Sequence, residues 1–191
     1  MGASFLMTFI GALVLAAVVG SGHKLTPQDK LWLASVDHTI TKQERTQYEA
    51  LDEIERHSFQ DAFWRLRDPD PGTPQNEALH EYIARLRFVE RYFQENEVPG
   101  VFTERGRLYM RFGAPAYRKI ADMPARGGGS MTASGRSRAG TDVPVEIWVY
   151  DKPPASKPGK YRIVTFVDEN KTNRYGLLND ELRPLQPGAP Q

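Results

Sequence analysis

The chain contains no cysteine. That excludes disulfides, zinc-thiolate sites, thiol nucleophiles and a cysteine-linked lipid anchor. Histidine is scarce, and the four present, His23, His38, His57 and His80, include no pair with the i, i+4 spacing of a helical metal site. His80-Glu81 opens like a zinc-protease helix, but Ala84 stands where the second histidine must fall. His57 and Asp61 lie one helical turn apart; with no nucleophile beside them they read as a surface pair. Gly127-Gly128-Gly129-Ser130 lacks the lysine and following helix of a phosphate loop. No catalytic constellation, metal site or cofactor motif emerges, so the sequence leans away from an enzyme.

Charge is missing from one place in particular. From Met1 to Gly22 no side chain is ionisable, and Phe5 to Gly20 is apolar apart from Thr8 and small glycines. As a helix, this stretch would measure roughly 33 Å, against a hydrocarbon core of about 30 Å. The reading is a transmembrane anchor or signal segment over residues 1–22, with the membrane as a partner. A signal peptide usually begins with basic residues and has a shorter apolar run. Neither holds here, which favours a retained anchor; cleavage after Gly20 or Gly22 stays open because small residues line the exit. Lys24 and Lys30 follow the segment and taken alone favour a cytoplasmic C-terminal side.

The remainder has material for a core, including three Trp, nine Phe and eight Tyr. The net charge of +1 conceals an asymmetry, near −5 over residues 23–98 and near +6 over 99–191, which draws the two halves together. Residues 25–98 read as a helical half. Thr26-Pro27-Gln28-Asp29 starts a helix that runs to about Ser35. Thr41-Lys42-Gln43-Glu44 is a capping box. It opens a helix to Arg67, with Tyr48, Leu51, Ile54, Phe59, Ala62, Phe63 and Leu66 near one face. The prolines of residues 68–72 end it. Thr73-Pro74 starts another helix, striped by Leu79, Tyr82, Ile83, Leu86, Val89 and Phe93, and the two long helices should form an antiparallel hairpin.

Residues 99–183 read as strand-rich. Strands are expected at 107–112, 144–150, 161–167 and, shorter, 175–178. A mobile loop is expected over 125–141, whose Gly/Ser/Arg composition builds no core, and a fraying tail over 184–191. The fold class is therefore α+β, the helical hairpin packing on a small, mainly antiparallel sheet.

Three segments coincide with a known pattern: FWRLRDPDPGTPQNE at 63–77, Glu81-Tyr82 with Arg85, and GVFTERGRLYMRFGAP at 100–115. Together they resemble the GWxTD domain family of exported bacterial proteins. Gly100 and Thr103 stand where the namesake Gly and Thr fall, whereas Val101 replaces the Trp and Glu104 the Asp. The resemblance implies an exported or envelope-attached domain and no reaction. Joined to the leading segment, and with many aromatics and no catalytic constellation, the expectation is a protein anchored to a bacterial membrane with its soluble domain on the periplasmic side, working through contacts with other proteins of an envelope complex.

Trp64, Arg67, Asp68, Asn76, Glu77, Tyr82, Arg85, Thr103 and Glu104 are the candidate interaction residues. Arg67, Asp68, Asn76 and Glu77 flank the break between helices, where a hydrogen-bonded corner is the plain expectation. A binding surface on adjoining turns, formed by Trp64, Arg67, Asp68, Glu77 and Arg85, is the alternative. Thr103-Glu104-Arg105-Gly106 is expected to be a structural turn entering the first strand. Two other functions stay open: an enzyme using Asp68, Glu77, Arg85 and Glu104, and a soluble periplasmic ligand-binding module. A nucleic-acid partner is not expected, since Arg105, Arg107, Arg111 and Arg118 and the arginines at 126, 136 and 138 lack interleaved aromatics. The same loop arginines suit anionic lipid headgroups.

Overall fold

A computed structural model describes residues 24–124, 142–151 and 160–184. The expected membrane segment, the loop at 125–141 and the tail beyond Pro184 lie outside these residues. Among the described residues no helix is long and apolar enough to cross a membrane.

The fold is α+β. Its described helices are α1 (Pro27–Ser35), α2 (Lys42–Ala50), α3 (Glu53–Arg65), α4 (Glu77–Tyr92) and α5 (Glu104–Phe112), with a 3-10 turn at Gly100–Phe102 before α5. Strands β1 (Tyr117–Pro124), β2 (Asp142–Tyr150), β3 (Lys160–Val167) and β4 (Gly176–Pro184) form one antiparallel sheet in chain order.

Both expected helix starts form, and each is a capping box. The Thr26 hydroxyl accepts from the Asp29 amide at 3.1 Å and the Asp29 carboxylate from the Thr26 amide at 2.8 Å; Thr41 and Glu44 do the same for α2. The single helix expected over 41–67 does not form. Leu51 is extended, with ψ 156°, and Asp52 caps a new helix reciprocally with Glu55. Asp52-Glu53-Ile54-Glu55 is itself a capping box, and it resets the helical phase. Tyr48 and Phe63 stay buried, but Ile54 and Leu66 from the expected apolar stripe are 79% and 73% exposed.

The next helix starts later than expected, at an Asn76 cap whose side chain accepts from the Leu79 amide at 2.8 Å. Thr73 instead turns its hydroxyl onto Asp70, Gln75 and Glu77. The expected two-helix hairpin shrinks to a corner: α3 meets α4 where the Trp64 and Tyr82 rings lie 4.5 Å apart, while α4 packs chiefly along α5 and the 3-10 turn.

That partner is the largest correction. Residues 107–112 are helical, not a strand. Leu108, Met110 and Phe112 alternate, but a six-residue run fits either period, and the Thr103 hydroxyl caps the helix by accepting from the Gly106 amide at 3.0 Å. Two glycines permit the packing. A Cβ on Gly100 would lie 2.1 Å from the Val89 carbonyl oxygen, and one on Gly106 would lie 1.8 Å from that of Gly100. Backbone stacks directly on backbone there, from α4 through the turn to α5.

The sheet's first strand is β1, which carries no clear alternation, and β4 extends well beyond the expected 175–178. One sheet face presents Trp148, Tyr150, Val164 and Phe166 to Val89, Phe93, Val101 and Met110, making the helix-sheet core. A second core lies within the helical half, formed by Trp32, Leu33, Val36, Tyr48, Phe63 and Trp64. On the opposite sheet face, Val143, Val145 and Val167 cluster with Ala121 and Leu178.

Candidate functional site

Four of the nine expected interaction residues converge. The end of α3 supplies Trp64 and, just beyond it, Arg67; α4 supplies Tyr82 and Arg85. They line an open cleft of about 340 Å³, completed by His38 and Thr39 after α1, Ala78 and Glu81 on α4, and Met110 on α5.

The wall is rigid on its aromatic side. Tyr82 packs on Trp64 and shares a 2.8 Å hydrogen bond with the Ser35 hydroxyl, which lies 2.7 Å from the Trp32 carbonyl oxygen. Burial pushes the Tyr82 phenol above its usual range. Arg67 is held on every side. It donates from Nη2 to both Glu44 carboxylate oxygens at 2.9 Å and to the Thr39 carbonyl at 3.2 Å, and from Nη1 to the Phe63 carbonyl at 3.1 Å. Its guanidinium lies 3.5 Å from the Phe63 ring centroid.

Arg85 is held less completely. Nη1 donates to the Met110 carbonyl at 2.8 Å and Nη2 to Glu81. The guanidinium lies against Gly113, which has φ 76°; a Cβ there would approach Nη2 to 3.1 Å. Close to it, His38 titrates below the usual histidine range: the protein packed around the ring disfavours its charge, and the Arg85 and Arg111 guanidiniums add to the effect against Asp37. The imidazole is thus neutral near pH 7 although part of it remains open to solvent.

The other five residues do not join the cleft wall. Asn76 ties the corner, accepting from Leu79 and donating from Nδ2 to the Trp64 carbonyl at 2.7 Å. Asp68 accepts from the Asp70 amide at 3.1 Å, and exposed Glu77 accepts from the Thr73 hydroxyl at 2.9 Å. Thr103 is the buried cap of α5, so its segment is structural but enters a helix rather than a strand. Glu104 is exposed one residue on, 3.9 Å from Arg107. Val101 is fully buried in the helix-sheet core.

Sequence reasoning missed the polar centre of the molecule. Arg105 is buried between Glu95 and Glu146, with nitrogen-oxygen distances of 2.9 and 3.0 Å, and lies 3.9 Å from the Tyr175 ring centroid. Glu146 also accepts from Arg118 and from the Trp148 indole N–H. Burial pushes the Glu146 carboxyl up, but Arg118, Trp148 and Arg105 together outweigh it and hold it below the usual range. Arg105 is therefore committed to the core, and Arg118, exposed on β1, is paired with Glu146, although the nucleic-acid reading grouped both with the other arginines of a basic patch. The available signal was a lone Glu146 inside an otherwise apolar strand, which demands a cation. Buried Asp168 is a second omission: it accepts from the Thr172 and Asn173 amides at 3.0 and 2.7 Å and shapes the turn before β4.

Comparison with family models, with curated proteins and with solved structures returns no match. Among the described residues no cluster of His, Asp or Glu is arranged to hold a metal ion. What the cleft offers is hydrogen-bond donors beside an aromatic wall, which is recognition chemistry.

Proposed function

We propose that this protein is a non-catalytic, membrane-anchored envelope protein, an accessory or structural subunit that acts through protein contacts, with residues 24–184 on the periplasmic side. The observation that carries the reading is the gathering of Trp64 and Arg67, from the end of α3 and just beyond it, with Tyr82 and Arg85 of α4 at one open cleft. Tryptophan, tyrosine and arginine are the residues in which contact energy concentrates at protein interfaces. The uncharged segment at residues 1–22 and the resemblance to the GWxTD family support the anchoring and the compartment. The carboxylates of the enzymatic alternative lie apart: Asp68 and Glu77 belong to the corner and Glu104 to the start of α5, while Arg85 lies in the cleft.

The test is fractionation of cells followed by mild detergent extraction. The expected result is a protein retained in carbonate-washed membranes that elutes in a defined complex larger than its own 21.6 kDa. A product shortened at Gly20 or Gly22, released without detergent and running alone, would overturn the proposal.

A further inference from the structure

Resting on that contact role, we propose that the cleft docks an acidic peptide segment of the partner protein, its carboxylate on Arg85 and a neighbouring apolar side chain on the Trp64-Tyr82 wall. The cleft has donors to spare and few acceptors. Arg85 uses one hydrogen of Nη1 on Met110 and one of Nη2 on Glu81, leaving its Nε–H and the second hydrogen on each Nη without a partner among the described residues. The His38 ring and the Trp64 indole N–H likewise make no hydrogen bond there. The one carboxylate on the wall, Glu81, has one oxygen on Arg85 and extends into solvent, and the Thr39 carbonyl is taken by Arg67.

Charge points the same way. The Arg67, Arg85 and Arg111 guanidiniums face the Glu44 and Glu81 carboxylates around the cleft, a surplus of one positive charge. Arg67 is paired with Glu44 and Arg85 with exposed Glu81, so the surplus charge is that of Arg111, which lines the adjoining hollow with His38, while Arg85 contributes its unused N–H donors. An anion of the partner would find charge-assisted hydrogen bonds there. Trp64, Tyr82, Ala78 and Met110 then offer apolar contact beside it, which a peptide side chain can use and a bare inorganic anion cannot. A volume of about 340 Å³ suits a short segment rather than a folded surface.

The test is an NMR titration of the intact chain in detergent micelles, following the His38 ring and Trp64 indole signals. The probes are an acetylated, amidated six-residue peptide of alternating leucine and glutamate, its leucine-glutamine counterpart, inorganic phosphate, and vesicles of phosphatidylglycerol. The leucine-glutamate peptide should shift both signals, and the glutamine version should bind about tenfold more weakly. Arg85→Gln should cause a comparable loss. Because Arg85 also supports Gly113 and Met110, Ala78→Glu provides a second variant that leaves those contacts intact and should repel the peptide.

Equal binding of the two peptides, or full affinity in Ala78→Glu with its fold intact, would overturn the proposal. So would the same shifts from phosphate or from vesicles, which would make this a small-anion or headgroup site. The two proposals fail separately. A protein found in a membrane complex whose cleft ignores the peptide keeps the contact role and loses the site; a soluble, solitary protein that binds the peptide keeps the site and loses the role.

Discussion

In the helical core Arg56 pairs with Asp29, whereas in the helix-sheet core Arg105 lies between two carboxylates, Glu95 and Glu146. Asp29 is well supplied without its arginine: the Thr26 amide and hydroxyl and the Tyr48 hydroxyl all donate to it at 2.8 Å. Its network begins as the cap of α1 and reaches α2 and α3, but it stays within the helical half. The Arg105 network crosses between layers, binding α5 and the segment after α4 to β2, so its formation follows the assembly of helices on sheet. A cap that recruits a cation tolerates damage better than a staple between layers. This difference sets an order of expected effects.

The largest belongs to the helix-sheet half. Gly106→Ala would place a methyl group 1.8 Å from a backbone oxygen, with no flexible side chain to move aside. We expect a loss of more than about 4 kcal/mol, measured by urea unfolding, or failure to fold. A variant as stable as the parent would show that the α4-α5 approach is not fixed by backbone contact. Next comes Arg105→Met, which strips Glu95 and Glu146 of their shared cation and should cost about 3 kcal/mol or more. Arg56→Met should cost about half as much, because Asp29 keeps its other donors. Equal losses would remove the distinction between cap and staple.

The pH dependence probes both networks. Burial pushes the Asp29 carboxyl up, but hydrogen bonds from Thr26 and Tyr48 and the Arg56 charge outweigh it, so it titrates below its usual value, as Glu146 does. A carboxyl with a lowered folded pKa adds stability above its unfolded value, about 4, and loses it as pH falls through the folded value. Asp29→Asn and Glu146→Gln should each flatten this acid limb. At the alkaline end the Tyr48 phenol is pushed up to about 12, first by burial and then by its bond to Asp29. Its contribution is complete below about pH 10 and disappears as pH rises toward that value. Tyr48→Phe should lower stability by about 1 kcal/mol near neutrality and reduce the alkaline loss. An unchanged alkaline limb would assign that loss to other tyrosines.

The sequence made the helical half legible wherever a local rule was sufficient. Thr26 and Thr41 announced their caps, and Asp52-Glu53-Ile54-Glu55 carried the same signature at the break that a continuous apolar stripe concealed. Around α5 local rules competed: alternating Leu108, Met110 and Phe112 suggested a strand, while Thr103 and Gly106 supplied a helix start. β1 has almost no signal of its own, since every residue but Ala121 is exposed and its pairing with β2 defines it. The cleft was half legible. Trp64, Arg67, Tyr82 and Arg85 stood out in the motif-bearing segments, but His38 and Met110 reach the same wall only through tertiary packing.

His38 provides the finest test of the comparison, because it lies in neither core. The protein around the ring, followed by Arg85 and Arg111, lowers its pKa, so the folded state binds fewer protons than the unfolded chain just below the ordinary histidine value of about 6.5. Stability should therefore decline slightly as pH falls through that window, and His38→Gln should remove the decline. The effect must be smaller than those of the buried carboxylates, since solvent reaches the ring and screens the arginines. His38→Gln should also leave the separate losses caused by Arg56→Met and Arg105→Met unchanged, because sites without shared partners add. Non-additivity with Arg105→Met would mean that the cleft and the helix-sheet core act as one unit through Met110, and the division into two arginine-centred cores would then need a third, connecting member.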